Sequence, residues 1–222
     1  MSLATGSTEF ALAAQRPALR GVLHLGTAFA ATAGFAWLIL LANSPKAYVG
    51  AAVFGTSLIL LYWTSAGYHR ITWSPTWRRV IKRLDHSMIF VLIGGTYTPF
   101  ALQVSLAWWV PILSLVWALA GVGVVLKVLR PDAPRWLSVG LYLALGWIGV
   151  GASSEVLGAF AATPVVLLIL GGVFYSLGSI LYAVRRPVLW PRVFGYHEVF
   201  HSLVVAGSAL HFSAIAIFVL PS

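Results

Sequence analysis

The 222-residue sequence predicts an all-α, polytopic membrane protein, a bundle of seven transmembrane helices with its N-terminus in the cytoplasm and its C-terminus outside. Three observations carry that reading. The chain is 60% hydrophobic and only 9% charged, where an ordinary soluble domain is roughly a quarter charged, and a mean hydropathy of +0.92 extends over its whole length. Seven apolar stretches each approach the ~20 residues that cross ~30 Å of hydrocarbon at 1.5 Å per residue. Finally, 13 of the 14 Lys and Arg residues fall on one side of the resulting topology, as the positive-inside rule requires. So apolar a chain is not disordered. With no cysteine, disulfides, thiolate ligands and cysteine nucleophiles are excluded.

The expected spans run from Gly21 to Ala42, Tyr48 to His69, Asp85 to Val104, Trp108 to Leu129, Trp136 to Ser154, Thr163 to Val184 and Tyr196 to Leu220. Runs such as Val165 to Leu170 are apolar on every side, unlike the alternating ten-residue strands of a membrane β-barrel. Residues 1–20 read as a cytoplasmic tail and 21–222 as one membrane domain, because the connections are short and no linker separates a second unit. Arg16 and Arg20 precede the first span. Arg70, Arg78, Arg79, Lys82 and Arg83 follow the second, Lys127, Arg130 and Arg135 the fourth, and Arg185, Arg186 and Arg192 the sixth. Only Lys46 lies opposite. Trp73, Trp77, Trp108, Trp109, Trp136 and Trp190 mark the boundaries, where interfacial aromatics belong. Topology thus accounts for the net charge of +9, and nucleic acid is not an expected partner. The lipid bilayer is, in a multi-pass protein of the cell membrane.

In such a chain, ionisable residues within spans are the functional candidates, since each is costly at depth. His69 closes span 2, Asp85 and His86 open span 3, and His197, Glu198 and His201 open span 7, all at the cytoplasmic level. His197 and His201, four residues apart, share a helical face at a spacing that lets two imidazoles bind one metal; Ser65 and His69 repeat the spacing on span 2. The alternatives are boundary histidines bonded to headgroups, and an Asp85 that only caps a helix start. His197-Glu198-Val199-Phe200-His201 also spells the H-E-x-x-H zinc-protease signature. No acid follows Glu198, however, and Val204 fills the glycine position of the longer form, so a third ligand must come from elsewhere, with His69 best placed. Glu198 lies ~100° around the helix from His197 and either serves as a base or points to the cytoplasmic interface. His211 is ~15 Å deeper and is expected to hydrogen-bond across the bundle. His24 and His86 read as interfacial, and Gly94, Gly95 and Pro99 as close packing with a kink.

Three segments carry a family resemblance. They are Ser65-Ala66-Gly67-Tyr68-His69, then Leu84-Asp85-His86-Ser87-Met88-Ile89-Phe90 leading to Gly95-Thr96-Tyr97-Thr98-Pro99-Phe100, and Gly195-Tyr196-His197-Glu198-Val199-Phe200-His201. From about Arg16 onward the chain resembles the hemolysin III family, the bacterial branch of the progestin and adiponectin receptor family. The resemblance implies a zinc ion held by His69, His197 and His201, with Asp85 reaching it through water and Ser65 as polar support. Three histidines leave zinc a fourth position, the mark of a catalytic more than a structural site. A hydrolase of a lipid amide or ester bond is therefore expected, ceramidase-like by the wider resemblance and serving membrane-lipid homeostasis, with Asp85 and Ser65 as catalytic groups and a membrane lipid as substrate or ligand. The alternatives are a non-enzymatic receptor or regulator with structural zinc, and, as the family name suggests, a cytolysin. The last fits poorly, since pore formers switch from soluble to inserted and no part of this chain is built to remain soluble.

Overall fold

The computed structural model describes residues 17–130, 132–148, 158–190 and 192–220. Among these residues seven α-helices follow one another: α1 (Val22–Leu41), α2 (Pro45–Arg70), α3 (Pro75–Ala101), α4 (Leu106–Leu129), α5 (Arg135–Trp147), α6 (Ala162–Val184) and α7 (Tyr196–Ala214), the last continued by a π-helical turn (Ile215–Val219). No strand occurs among the described residues. Five helices, α1, α2, α4, α6 and α7 with its extension, are long and apolar enough to cross a membrane. The protein is a multi-pass helical membrane protein, and large apolar side chains such as Leu40, Trp37, Val122 and Ile180 face outward, where lipid is their solvent.

Two helices depart from the expected bounds. α3 starts at Pro75, with Ser74 before it, so the charged turn Arg78–Arg83 is helical and Asp85 lies inside the helix. Asp85 therefore does not cap α3. In α5 the described helix ends at Trp147, and the expected continuation to Ser154 runs into residues 149–157, outside the described set, as does the tail up to Arg16.

Helix ends alternate as seven spans require. On one side, the Ala18 and Leu19 amides donate to the Arg192 and Val193 carbonyls just before α7, and Arg135 at the start of α5 lies over the Tyr182 ring at the end of α6, 5.3 Å from its centroid. Gln103, after α3, donates to Val219 at the opposite end (3.1 Å). The described Lys and Arg residues other than Lys46 thus gather on one side of the bundle.

Lipid tails are as apolar as leucine, so helices associate through close backbone approach and buried hydrogen bonds rather than hydrophobic gain. Glycines supply the approach. A Cβ at Gly55 would overlap Phe35 across α1 and α2, one at Gly95 would overlap Ser57 across α2 and α3, and one at Gly123 would overlap Phe90 across α3 and α4. Gly94 lies against Trp117 and Gly50 against Pro99, which bears out the close packing expected of Gly94, Gly95 and Pro99. Polar ties add to this. Ser208 of α7 accepts a hydrogen bond from the Tyr62 hydroxyl of α2 (2.6 Å) and shares another with Tyr175 of α6 (2.7 Å), joining three helices at one point.

Gly171 and Gly207 bring α6 and α7 together. A Cβ on Gly207 would stand 3.0 Å from the Gly171 carbonyl oxygen and 3.1 Å from the Tyr175 ring. Gly207→Val is expected to lower stability by about 1–3 kcal/mol, read as a reduced Tm of the purified protein. Gly26→Val, whose added carbon meets nothing within 4 Å, is the control expected to leave Tm near that of the parent.

Candidate metal centre

The centre forms where the C-terminal end of α2 meets the first turns of α1 and α7. Gly21 has φ +78°, a left-handed conformation natural to glycine, and a Cβ there would run into the Cβ of His69. The absent side chain lets α1 begin directly against the last turn of α2. At that junction the ligating nitrogens of His69, His197 and His201 all lie within 4.8 Å of one another.

The donor set suits a metal ion. His69 and His197 turn their Nε2 atoms toward each other at 3.2 Å, and two nitrogens on one tetrahedral zinc stand ~3.3 Å apart when each Zn–N bond is ~2.0 Å. Their ring centroids lie 4.8 Å apart, and that of His201 is 4.5 Å from His197 and 5.1 Å from His69. His201 is 3% exposed, and a buried ring nitrogen requires a partner. Convergence of three imidazoles, each able to present a neutral lone pair, is the arrangement a divalent cation takes.

Around this cluster the structure places groups that the sequence left undecided. His24, expected at the interface, is 3% exposed and lies flat on the His201 ring, centroids 3.6 Å apart and planes 11° apart. Its Nδ1 is 2.9 Å from Ser65 Oγ, and Ser65 in turn interacts with the Asp85 carboxylate. An ionised carboxylate only accepts, so the consistent direction runs from His24 N–H to Ser65 oxygen and from Ser65 O–H to Asp85. Asp85 is also 3.5 Å from His86 Nδ1, while that nitrogen donates to the Lys82 carbonyl (2.8 Å). Asp85 and Ser65 are thus joined to the histidine cluster through His24. No signal in the sequence marked His24, because nothing on α1 repeats it at helical spacing.

Glu198 is turned into the protein and held at both carboxylate oxygens. It is 3% exposed; one carboxylate oxygen accepts the Gly195 amide at 2.8 Å, closing the first turn of α7, and the other pairs with Arg20. The glutamate of the H-E-x-x-H pattern therefore anchors the helix that carries His197 and His201 and does not point to the interface. His211 behaves as expected: its Nε2 donates to the Leu168 carbonyl (3.0 Å) across to α6. That hydrogen bond leaves Nδ1 as an acceptor lone pair, buried without a donor among the described residues.

From the cluster a cavity of about 610 Å³ extends between α3, α5, α6 and α7. It is bounded at one end by His197, His201 and Asp85 and at the other by Phe100 and Ala101, a run of about 22 Å along α3. Apolar side chains such as Ile89, Leu92, Ile93 and Val204 form much of its wall.

Glu198→Gln keeps an oxygen for the Gly195 amide but loses the ion pair. It is expected to lower stability by about 1–3 kcal/mol in thermal unfolding while leaving the metal content per chain unchanged. Loss of metal from a folded Glu198→Gln protein would contradict the anchoring role.

A family model described as Haemolysin-III related matches residues 12–212. Among curated proteins, the Hemolysin-3 homolog of Bacillus subtilis (strain 168) is 36% identical over 190 residues, covering 84% of this chain and 81% of its own length. Hemolysin-3 of Bacillus cereus is 32% identical over 195 residues, 84% of this chain and 85% of its own. The Adiponectin receptor protein of Drosophila melanogaster is 29% identical over 189 residues, 77% of this chain but 42% of its own. With nearly its whole length matched and its helices arranged as an apolar bundle, the chain belongs to the haemolysin-III related family of membrane proteins.

Proposed function

We propose that this protein is a zinc-dependent hydrolase acting on an amide or ester bond of a membrane lipid, in the service of lipid homeostasis. One observation carries the reading: His197 and His201 of the converging histidine trio, with the carboxylate of Asp85, stand at the head of an apolar cavity that lies inside the bilayer-spanning bundle. His69, His197 and His201 would hold the metal. Zinc at such a site would supply Lewis acidity, polarising a carbonyl oxygen and making water acidic enough to lose a proton near neutral pH.

The protein's own groups account for the remaining requirements. The cavity wall takes the acyl chain and excludes water from it, so the polar linkage is the part of a lipid that comes to rest beside the histidines. Asp85, an acceptor held by Ser65 and close to His86, takes the proton of the attacking water and returns it to the leaving amine or alcohol. General acid–base participation of this kind contributes typically 10²–10⁴-fold. His24 stacks behind His201 and fixes the plane of that ring. The relatives' names speak of haemolysis and of adiponectin reception; neither is needed to explain the cavity or the carboxylate.

Purified protein is expected to contain about one zinc per chain by elemental analysis, and His201→Ala well below that. Asp85→Asn is expected to keep its zinc yet lose roughly 100-fold or more in turnover of acylated lipid. Unchanged turnover in Asp85→Asn would remove the residue from the mechanism. If zinc-loaded protein processes no lipid extract while metal removal lowers Tm, the metal is a staple between α2 and α7 and the protein a membrane regulator.

A further inference from the structure

The cavity's cytoplasmic mouth contains cations that topology alone does not explain. Lys82, Lys127, Arg135 and Arg185 line it, against two carboxylates, Asp85 and Asp132. Asp85 is engaged with Ser65 and His86. Asp132 is 93% exposed and stands 3.9 Å from Lys82. Orientation by positive charge requires lysines and arginines near the membrane surface, not lysines turned into the bundle.

Lys127 is turned inward. It is 7% exposed, whereas Leu126, Val128 and Leu129 beside it face outward. Its ammonium donates to the Ser138 hydroxyl of α5 and makes no ion pair with a carboxylate among the described residues. Arg135, at the first position of α5, likewise has no carboxylate partner there, and its Nη1 is buried without a hydrogen-bond acceptor. A buried cation without a counter-ion is costly, and Lys127, with the half-buried Arg135 lining the same cavity, points to an anion that is not part of the protein. The position of Arg135 sets how far that anion lies from the centre. Its guanidinium is 5.3 Å from the Tyr182 ring centroid, and that centroid is 5.5 Å from the His197 ring. Arg135 and His197 thus share the Tyr182 ring as a neighbour, which puts the guanidinium at the histidine end of the cavity.

We propose that Lys127 and Arg135 form an anion site at the cytoplasmic mouth of the cavity, which selects amphiphiles carrying a phosphate or carboxylate beyond the acyl linkage. The proposal rests on the lipid-cleaving reading for its choice of ligand, but it concerns binding alone. Lys127 contributes a point charge steadied by Ser138, and Arg135 a planar donor fork held over Tyr182, the geometry suited to an oxyanion.

The test is native mass spectrometry of the full chain with ether-linked ligands that cannot be hydrolysed: oleyl lysophosphatidate, uncharged oleylglycerol, and inorganic phosphate as competitor. The phosphate-bearing amphiphile is expected to bind about tenfold or more tightly than the uncharged one, as one charge-assisted hydrogen bond implies. Lys127→Met and Arg135→Gln should each shrink that preference toward unity while leaving oleylglycerol binding unchanged, and Lys127→Arg should retain it. Equal affinity for the two amphiphiles in the parent would overturn the proposal, as would an undiminished preference in variants whose Tm and zinc content match the parent. Displacement of the lipid by equimolar inorganic phosphate would overturn its assignment to a headgroup. A charge preference in a protein that turns over no lipid would leave the anion site standing and remove only the hydrolase reading.

Discussion

Within a bilayer a polar side chain has no water to turn to, so every buried nitrogen, hydroxyl and carboxylate must find its partner inside the protein. That constraint organises this molecule. His69, His197 and His201 bring three imidazoles into one cluster, which no acid side chain joins among the described residues. Their separations suit a shared cation. Asp85 is settled by Ser65 and His86, Ser65 by His24, and Glu198 by Arg20 and the first turn of α7. These ties connect α1, α2 and α3 on one side of the cluster and fix the start of α7 on the other.

The scaffold makes this possible through its small residues. Glycine at position 21 lets α1 start against His69, so that His24 reaches His201. Glycines at 171 and 207 bring α6 against α7, whose first turn carries two of the three histidines. α5 contributes differently: it borders the cavity, reaching α3 through the Tyr97 hydroxyl on the Gly146 carbonyl and α6 through Trp147 on Ser176. The bundle thus combines tight helix pairs around the histidine cluster with an apolar space beside them.

Much of this was legible in the sequence. Span count and orientation could be read because hydrophobic length and one-sided charge are properties of the whole chain, and the histidine pair on α7 because spacing by four fixes a common face. Three features escaped for local reasons. The start of α3 was placed ten residues late, because its charged first turns lack an apolar run even though they are helical. Glu198 looked like a catalytic or surface acid, since its partner Arg20 is 178 positions away and only the fold brings them together. His24 and Lys127 were each lone polar residues at a span boundary, and whether such a residue faces lipid headgroups or the interior depends on the rotation of its helix, which composition does not record.

The central claim is that His69, His197 and His201 share one zinc ion with an open coordination position turned toward the cavity. An anomalous-scattering map collected at the zinc edge from crystals of the intact protein tests it most directly. The expected result is a single strong peak ~2.0 Å from one ring nitrogen of each histidine, with no fourth protein ligand and the remaining position on the side of Asp85 and Ser65. A map without a peak there, or a peak enclosed by four protein ligands, would contradict it.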